Sequence, residues 1–373
     1  MSIRRKQANM QFSRYLYEKS EIQASFINTI LKKQRNEATF WIAELFLSGW
    51  REETIGLLWQ VYYDFYYIYY SNLERKLSTL LREPPTLKSI LTATTTLLSL
   101  KQTTTHVFEL RLIIEKTHVP NVNYIYKRIP KEYNIYKNKR FVFSIKREHI
   151  INVAYYFQTT TQRPSVVADI QDDIKRLLKL STFSVQHKNE NRNKHMLIAM
   201  ISKHMILHKK KSIKIAKVYI SPIESSILDE TARENKGTET QNPYRVLSSH
   251  RKYGIDKDVG LDHFSLQRFQ KETTETINIK TCENPVQHNI YFHWEYYAFN
   301  TPVWRERFEQ HKAFQNHETK EVEFLTDETA DKFYQKYAYD PDEQPTETDE
   351  KSTKNIEEIT YDIWLSNINL QHF

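Results

Sequence analysis

Between Phe40 and Tyr70 the chain reads FWIAELFLSGWREETIGLLWQVYYDFYYIYY, twelve aromatic side chains in thirty-one positions. Few folds can house so much ring surface. At helical spacing Trp59, Tyr62, Tyr63, Tyr66 and Tyr70 form one stripe, and Leu58, Phe65 and Tyr69 cover the stripe beside it. A helix apolar on so many sides has to be enclosed by neighbours, and each enclosed tyrosine hydroxyl then needs a hydrogen-bond partner. The block predicts the central helix of an array, or a helix at a subunit interface.

Glycine narrows the class further. There are five in 373 residues, Gly49, Gly56, Gly237, Gly254 and Gly260, against an ordinary share of about 7%. None clusters as a phosphate loop or a dinucleotide fingerprint requires, which argues against an NTPase or a Rossmann enzyme. Scarce glycine also disfavours hairpin-rich barrels and sandwiches, whose tight turns need positive φ. One cysteine, Cys282, allows no intramolecular disulfide and no cysteine-rich zinc site, and it points to a reducing compartment. The amino terminus is basic but lacks the apolar core of a secretory signal. The stretch Ile55 to Tyr70 is too short to span a bilayer, so no transmembrane segment and a soluble intracellular protein are expected.

Along the chain, Ile22, Phe26, Ile27, Ile30 and Leu31 mark one face of a helix over residues 13–33. Asn36 is placed to cap a second, at about 37–48, with Gly49 at its carboxyl end. A third starts at Glu52–Glu53 and runs unbroken toward Pro84–Pro85. Leu87 to Leu98 and Val107 to Ile113 supply a fourth and a fifth. Short turns between them imply antiparallel packing of sequence neighbours. Phe141, Phe143 and Ile145 alternate with Val142 and Ser144, which predicts a short strand or extended loop. Helical texture returns near Glu148, over Ser165 to Leu180 and over Asn193 to His208. The fold expected is mainly α: an irregular helical bundle or short α-solenoid, with a small α+β or extended basic segment and an acidic tail. Its domains are an aromatic-rich helical module at 1–120, a basic Tyr/Lys segment with helices at 121–220, a polar and largely irregular linker at 221–283, a compact segment at 284–340, and an acidic tail with a short terminal helix at 341–373.

Charge is divided along the chain. Residues Glu318 to Asp362 carry fifteen acidic and five basic side chains, a net of −10, so the remainder carries +18 of the overall +8. Either the basic body meets nucleic acid or another acidic surface, or the lysines form a solvated face and the tail solubilises it. Within the body, Lys127, Arg128, Tyr133, Tyr136, Lys137, Lys139 and Arg140 have the makings of a single-strand interface, cations for phosphates and rings for bases. The run Lys209 to Lys217 reads as a lysine-protected edge strand. Other clusters favour structural readings. His204 and His208 stand four apart as metal ligands can, without a third partner nearby. Cys282, His288 and His293, with His263 or Glu295, lack the close cysteine pair of structural zinc sites. Asp169, Asp172 and Asp173 read as acids favouring the start of a helix. No cofactor, metal or catalytic residue is expected.

Two segments resemble a family of uncharacterised proteins of nucleocytoplasmic large DNA viruses, the mimivirus-like giant viruses and their relatives. They are RYLYEKSEIQASFINTILKKQRNEATFWIAELFLSGWREETIGLLWQVYYDFYY, similar to the family's amino-terminal region, and Phe292 through HWEYYAFNTPVWRERFEQH to KFYQKYAYDPDEQ, similar to its carboxyl-terminal region. The resemblance covers about a third of the chain and carries no functional residues. It implies action in the cytoplasm or virus factory of an infected cell, and a place in the virion. Two function classes follow. The first is a non-enzymatic structural or scaffolding protein that contacts viral or host proteins, or a second copy of itself, through Trp41, Trp50, Trp59, Tyr62, Tyr66 and Tyr70. The alternative is a nucleic-acid-binding protein of viral replication, transcription or translation.

Overall fold

A computed structural model describes residues 11–14, 19–82, 84–116, 128–160, 164–183, 185–209, 218–221 and 294–337. Within them the protein is mainly helical, with one small antiparallel hairpin. In chain order the first helices are α1 (Lys19–Leu31), α2 (Arg35–Leu47) and α3 (Arg51–Val61). A π-helical turn (Tyr62–Tyr66) then leads into α4 (Tyr67–Tyr70), α5 (Leu73–Leu80), α6 (Leu87–Leu98) and α7 (His106–Lys116). A 3₁₀ turn (Lys131–Ile135) precedes α8 (Lys139–Lys146), α9 (Ile150–Thr160), α10 (Pro164–Leu177) and α11 (Glu190–Lys209). The last elements are α12 (Trp294–Ala298), α13 (Pro302–Gln310), β1 (Ala313–Asn316), β2 (Glu321–Phe324) and α14 (Asp327–Tyr337). No helix among the described residues is long and apolar enough to cross a membrane.

The helix ends explain how so few glycines suffice. Lys33, Glu148 and Lys179 have positive φ at the carboxyl ends of α1, α8 and α10. At each end the next amide bonds the carbonyl five residues back: Gln34 to Thr29, His149 to Ser144 and Leu180 to Lys175. These are Schellman ends with lysine or glutamate where glycine is usual. The first also displaces the expected Asn36 cap. Gln34 leaves the Schellman turn straight into α2 and stands at the cap position, so Asn36 already lies in the first turn. Gly49 does sit just past α2 with φ +94, as its sequence position predicts. Elsewhere Thr86 and Ser89 cap α6 reciprocally, and Thr326 and Thr329 cap α14 in the same way.

Two compact units emerge, and the expected 1–120 module is shared between them. Met1–Ile55, Pro85–Leu98 and Ser221–His372 form the first; Gly56–Pro84 and Ser99–Ile220 form the second. In the first unit α1, α2 and α6 pack together. The carboxyl-terminal elements surround Trp304, Phe308 and Phe333, with Phe308 and Phe333 stacked at 4.8 Å. Phe12 joins that core, its amide bonded to Thr301 Oγ1, while Trp304 Nε1 donates to the Ser13 carbonyl. The expected 284–340 segment is thus completed by the amino terminus. Its hairpin pairs Ala313 with Phe324 and Gln315 with Val322, which turns Ala313 and Val322 inward.

In the second unit the third helix is not the unbroken rod that its stripes suggest. It passes through the π-helical turn and stops at Ser71–Asn72 before α5 begins. The extra residue of a π turn shifts the helical phase, so Tyr62, Tyr63, Asp64, Phe65 and Tyr66 are all buried. The Phe65 carbonyl accepts the Thr104 amide at 2.9 Å. Asp64 receives Arg111 through Nε at 3.0 Å and Nη2 at 2.7 Å, both side chains being buried.

The expected strand at Phe141–Ile145 is instead helix α8. All five residues from Phe141 to Ile145 are buried, which a strand facing solvent on one side would not achieve. Asp173 likewise departs from expectation. It lies late in α10 rather than at its start, and its carboxylate accepts the amides of Lys137 and Asn138 ahead of α8. One helix thereby caps another. Asp169 pairs with Lys137.

Candidate functional site

All six aromatic residues expected at a protein interface, Trp41, Trp50, Trp59, Tyr62, Tyr66 and Tyr70, are at most 4% exposed. They are core. Their polar ends are satisfied within the fold where Tyr62 Oη donates to the Tyr70 carbonyl and Tyr70 Oη accepts the amides of Lys101 and Gln102. A protein partner would have to use other surfaces.

The basic set fares differently. Lys127 lies outside the described residues, as do residues 210–217 of the lysine run, Cys282, His263, His288, His293 and the acidic tail. Arg128, Lys137, Lys139 and Arg140 are exposed, and Tyr133 and Tyr136 are half-buried. The 3₁₀ turn brings the two tyrosines together at 6.2 Å and sets Tyr133 edge-on to Phe143 of α8 at 5.0 Å. Arg147 lies over the Phe143 ring, 5.4 Å from its centre. Lys137 pairs with Asp169 at 2.5 Å, and Arg128, Lys131, Lys139, Arg140 and Arg147 are further exposed cations of the segment. Charge follows the compact units. The second holds 27 Lys and Arg against 11 Asp and Glu, a net of +16 within the chain's 54 against 46. The first therefore carries −8.

A group of titratable side chains in the second unit escaped sequence reasoning. Tyr63, placed by the π turn, donates its hydroxyl to Glu74 of α5 at 2.8 Å and lies 2.9 Å from His187 Nε2. Burial lifts the Glu74 carboxyl to about 7, against smaller lowering effects of the Tyr63 hydrogen bond and Lys203. Burial drops His187 to about 4, helped by Arg192 and His195. Burial also lowers Lys203, which Glu74 partly restores. Tyr63 has one hydroxyl proton. When Glu74 is ionised that proton points to it and His187 must offer Nε2–H; when Glu74 is protonated, the order can reverse. The proton on Glu74 is thus linked to the His187 tautomer. Nothing local in LERKL or VQHKN marks these residues, because the contact between positions 63 and 187 depends on the π turn. Among the described residues no three His, Cys, Asp or Glu side chains are grouped to hold a metal ion.

No protein-family model, curated protein or solved structure matches the chain.

Proposed function

We propose that the protein binds single-stranded nucleic acid with little sequence preference, through the segment from Arg128 to Arg147. One observation carries this reading: half-buried Tyr133 and Tyr136, with Tyr133 packed on buried Phe143, share one segment with five exposed cations on the unit that holds +16. Rings supply faces on which any base can stack, and cations track the phosphates. Half-buried tyrosines suit this role, since one side is fixed by packing while the other stays open. Arg176 Nη1 holds the Ile135 carbonyl at 2.9 Å, which steadies the 3₁₀ turn between the tyrosines.

The test is fluorescence anisotropy with labelled oligothymidylate and a mixed-sequence oligomer of equal length, at about 50 and 200 mM salt. Affinity for both should fall steeply with salt. The triple variant Arg128→Ala/Lys139→Ala/Arg140→Ala should flatten the log–log salt slope by about 2, at roughly 0.7 per lost phosphate contact. Tyr136→Ala should weaken binding by about 1–3 kcal/mol of lost stacking and leave the slope alone. No binding at the lower salt, or an unchanged slope in the triple variant, would refute the proposal.

A further inference from the structure

The second unit contains a cavity of about 690 Å³, within the ~300–1,000 Å³ range of small-molecule sites. Four basic side chains line it, Arg75, Lys146, Lys179 and Lys203, against the single carboxylate of Glu74. They come from α5, from the end of α8, from the turn after α10 and from α11, so no one helix accounts for the convergence. Lys203 is fixed in place: Nζ bonds Ser71 Oγ at 2.6 Å and lies 5.4 Å from the centre of the Tyr67 ring. Lys179 is held at the rim in the left-handed conformation of a Schellman end, φ +55, which is unfavourable for a residue with a β-carbon. Leu177, Leu178 and Met200 add an apolar wall.

Arg75 and Lys179 are exposed and Lys146 and Lys203 half-buried, and a cleft lined mostly by one sign of charge draws an ion of the other sign. Lysines act as point charges suited to a phosphate, whereas a planar carboxylate is best met by an arginine fork. The volume exceeds what a bare phosphate fills, and the apolar wall can take an organic group. We propose that this cavity receives a phosphomonoester, either on a free nucleotide or at the end of a nucleic-acid strand. The proposal stands on the cavity and does not depend on the outer Arg128–Arg147 segment.

The titratable and charged groups facing the space are Tyr67, Glu74, Arg75, Lys146, Lys179, Lys203 and His204. An arriving dianion favours the protonated form of Glu74, so binding takes up a proton and strengthens as pH falls from about 8 to 7, above the second phosphate pKa of about 6. Glu74→Gln keeps the Tyr63 hydrogen bond and removes the contribution of Glu74 to that dependence.

The experiment is isothermal titration of the full chain with adenosine monophosphate and with adenosine. Matched hexathymidylates with a 5′-phosphate or a 5′-hydroxyl follow, read on the wild type and on the triple variant of the outer segment. Adenosine monophosphate should bind where adenosine does not, or the 5′-phosphorylated strand should bind at least tenfold tighter than its 5′-hydroxyl twin; the first outcome identifies a free nucleotide and the second a strand end. Lys203→Met should reduce that affinity at least tenfold. Lys179→Gln, at an exposed position, should reduce it several-fold and guards against misfolding of the first variant. Glu74→Gln should make affinity less dependent on pH. Phosphate-independent binding, no heat from any probe, or undiminished affinity in both lysine variants would overturn the assignment. The preference for phosphate should survive in the outer-segment variant, which separates this result from failure of the single-strand reading.

Discussion

Arg14 with Glu44 in the first unit and Arg111 with Asp64 in the second are one device used twice. Each is a buried guanidinium meeting a buried carboxylate, at 3.0 Å and 2.7 Å. Both units also fill their interiors with aromatic rings, Trp304, Phe308 and Phe333 in one and Tyr62, Tyr63 and Tyr66 in the other. What differs is the charge each carries, −8 against +16, and where the strained ionisations fall. In the first unit burial lowers Lys33 to about 8 and raises the Tyr297 hydroxyl. In the second, Glu74, His187 and Lys203 are shifted together around one tyrosine and one cavity. Packing chemistry shared by both units speaks to stability, and the cluster confined to one of them speaks to function.

The strongest way to test the shared half of that comparison is to break both ion pairs. Arg14→Met and Arg111→Met each strand a buried carboxylate, and each should lose about 3–5 kcal/mol in urea unfolding. Adding Asp64→Leu to Arg111→Met should recover most of the loss, because the uncompensated charge rather than the missing attraction is what destabilises. If one arginine variant is silent while the other collapses, the two pairs are not equivalent devices.

Glu74 tests the unshared half. Its carboxyl stands near 7 in the fold and at 4.5 as an unperturbed group, so the native state holds the extra proton between those values. Stability contributed by this group is therefore greatest below about pH 4.5, declines as pH rises toward 7 and is level above. The interval corresponds to about 3 kcal/mol at 1.36 kcal/mol per unit. Glu74→Gln cannot ionise and should melt higher than the wild type at pH 8, by an amount approaching that figure, with the difference shrinking at pH 5. A constant difference across pH would place the elevated carboxyl elsewhere.

The helices were legible from apolar spacing where that spacing is undisturbed, as in Ile22, Phe26, Ile27 and Ile30 of α1, which are all buried. The aromatic block was legible as enclosed, Tyr63 included, but its stripes left out Asp64, which the π turn buries among the rings. No local residue choice announces a π turn; it is fixed by what Asp64, Phe65 and Tyr63 reach, namely Arg111, Thr104, and Glu74 with His187. Alternation misled at Phe141–Ile145 because a run buried on every side has no period to read. The basic set was legible as exposed at Arg128, Lys139 and Arg140, whereas the cavity required four separated helices to converge. The left-handed conformation at Lys33, Glu148 and Lys179 was not legible because the usual marker, glycine, is absent from these ends.

Those ends supply the smallest test, and it runs in opposite directions in the two units. Gly49 in the first unit has φ +94, and a β-carbon there would come within 2.6 Å of Pro302 Cβ. Gly49→Ala should cost about 1–2 kcal/mol from the left-handed backbone alone, and more as Pro302 is displaced. Glu148 in the second unit has φ 55 and already bears that backbone penalty. Glu148→Gly relieves it, while the freer unfolded chain returns about 0.4–1 kcal/mol in the opposite sense, so a net gain of roughly 0.5–1 kcal/mol is expected in urea unfolding. The pair separates backbone conformation from packing: a loss at both positions would mean that Glu148 is held by side-chain contacts that outweigh its strain, and the left-handed end would then be a consequence of packing rather than a compromise imposed by scarce glycine.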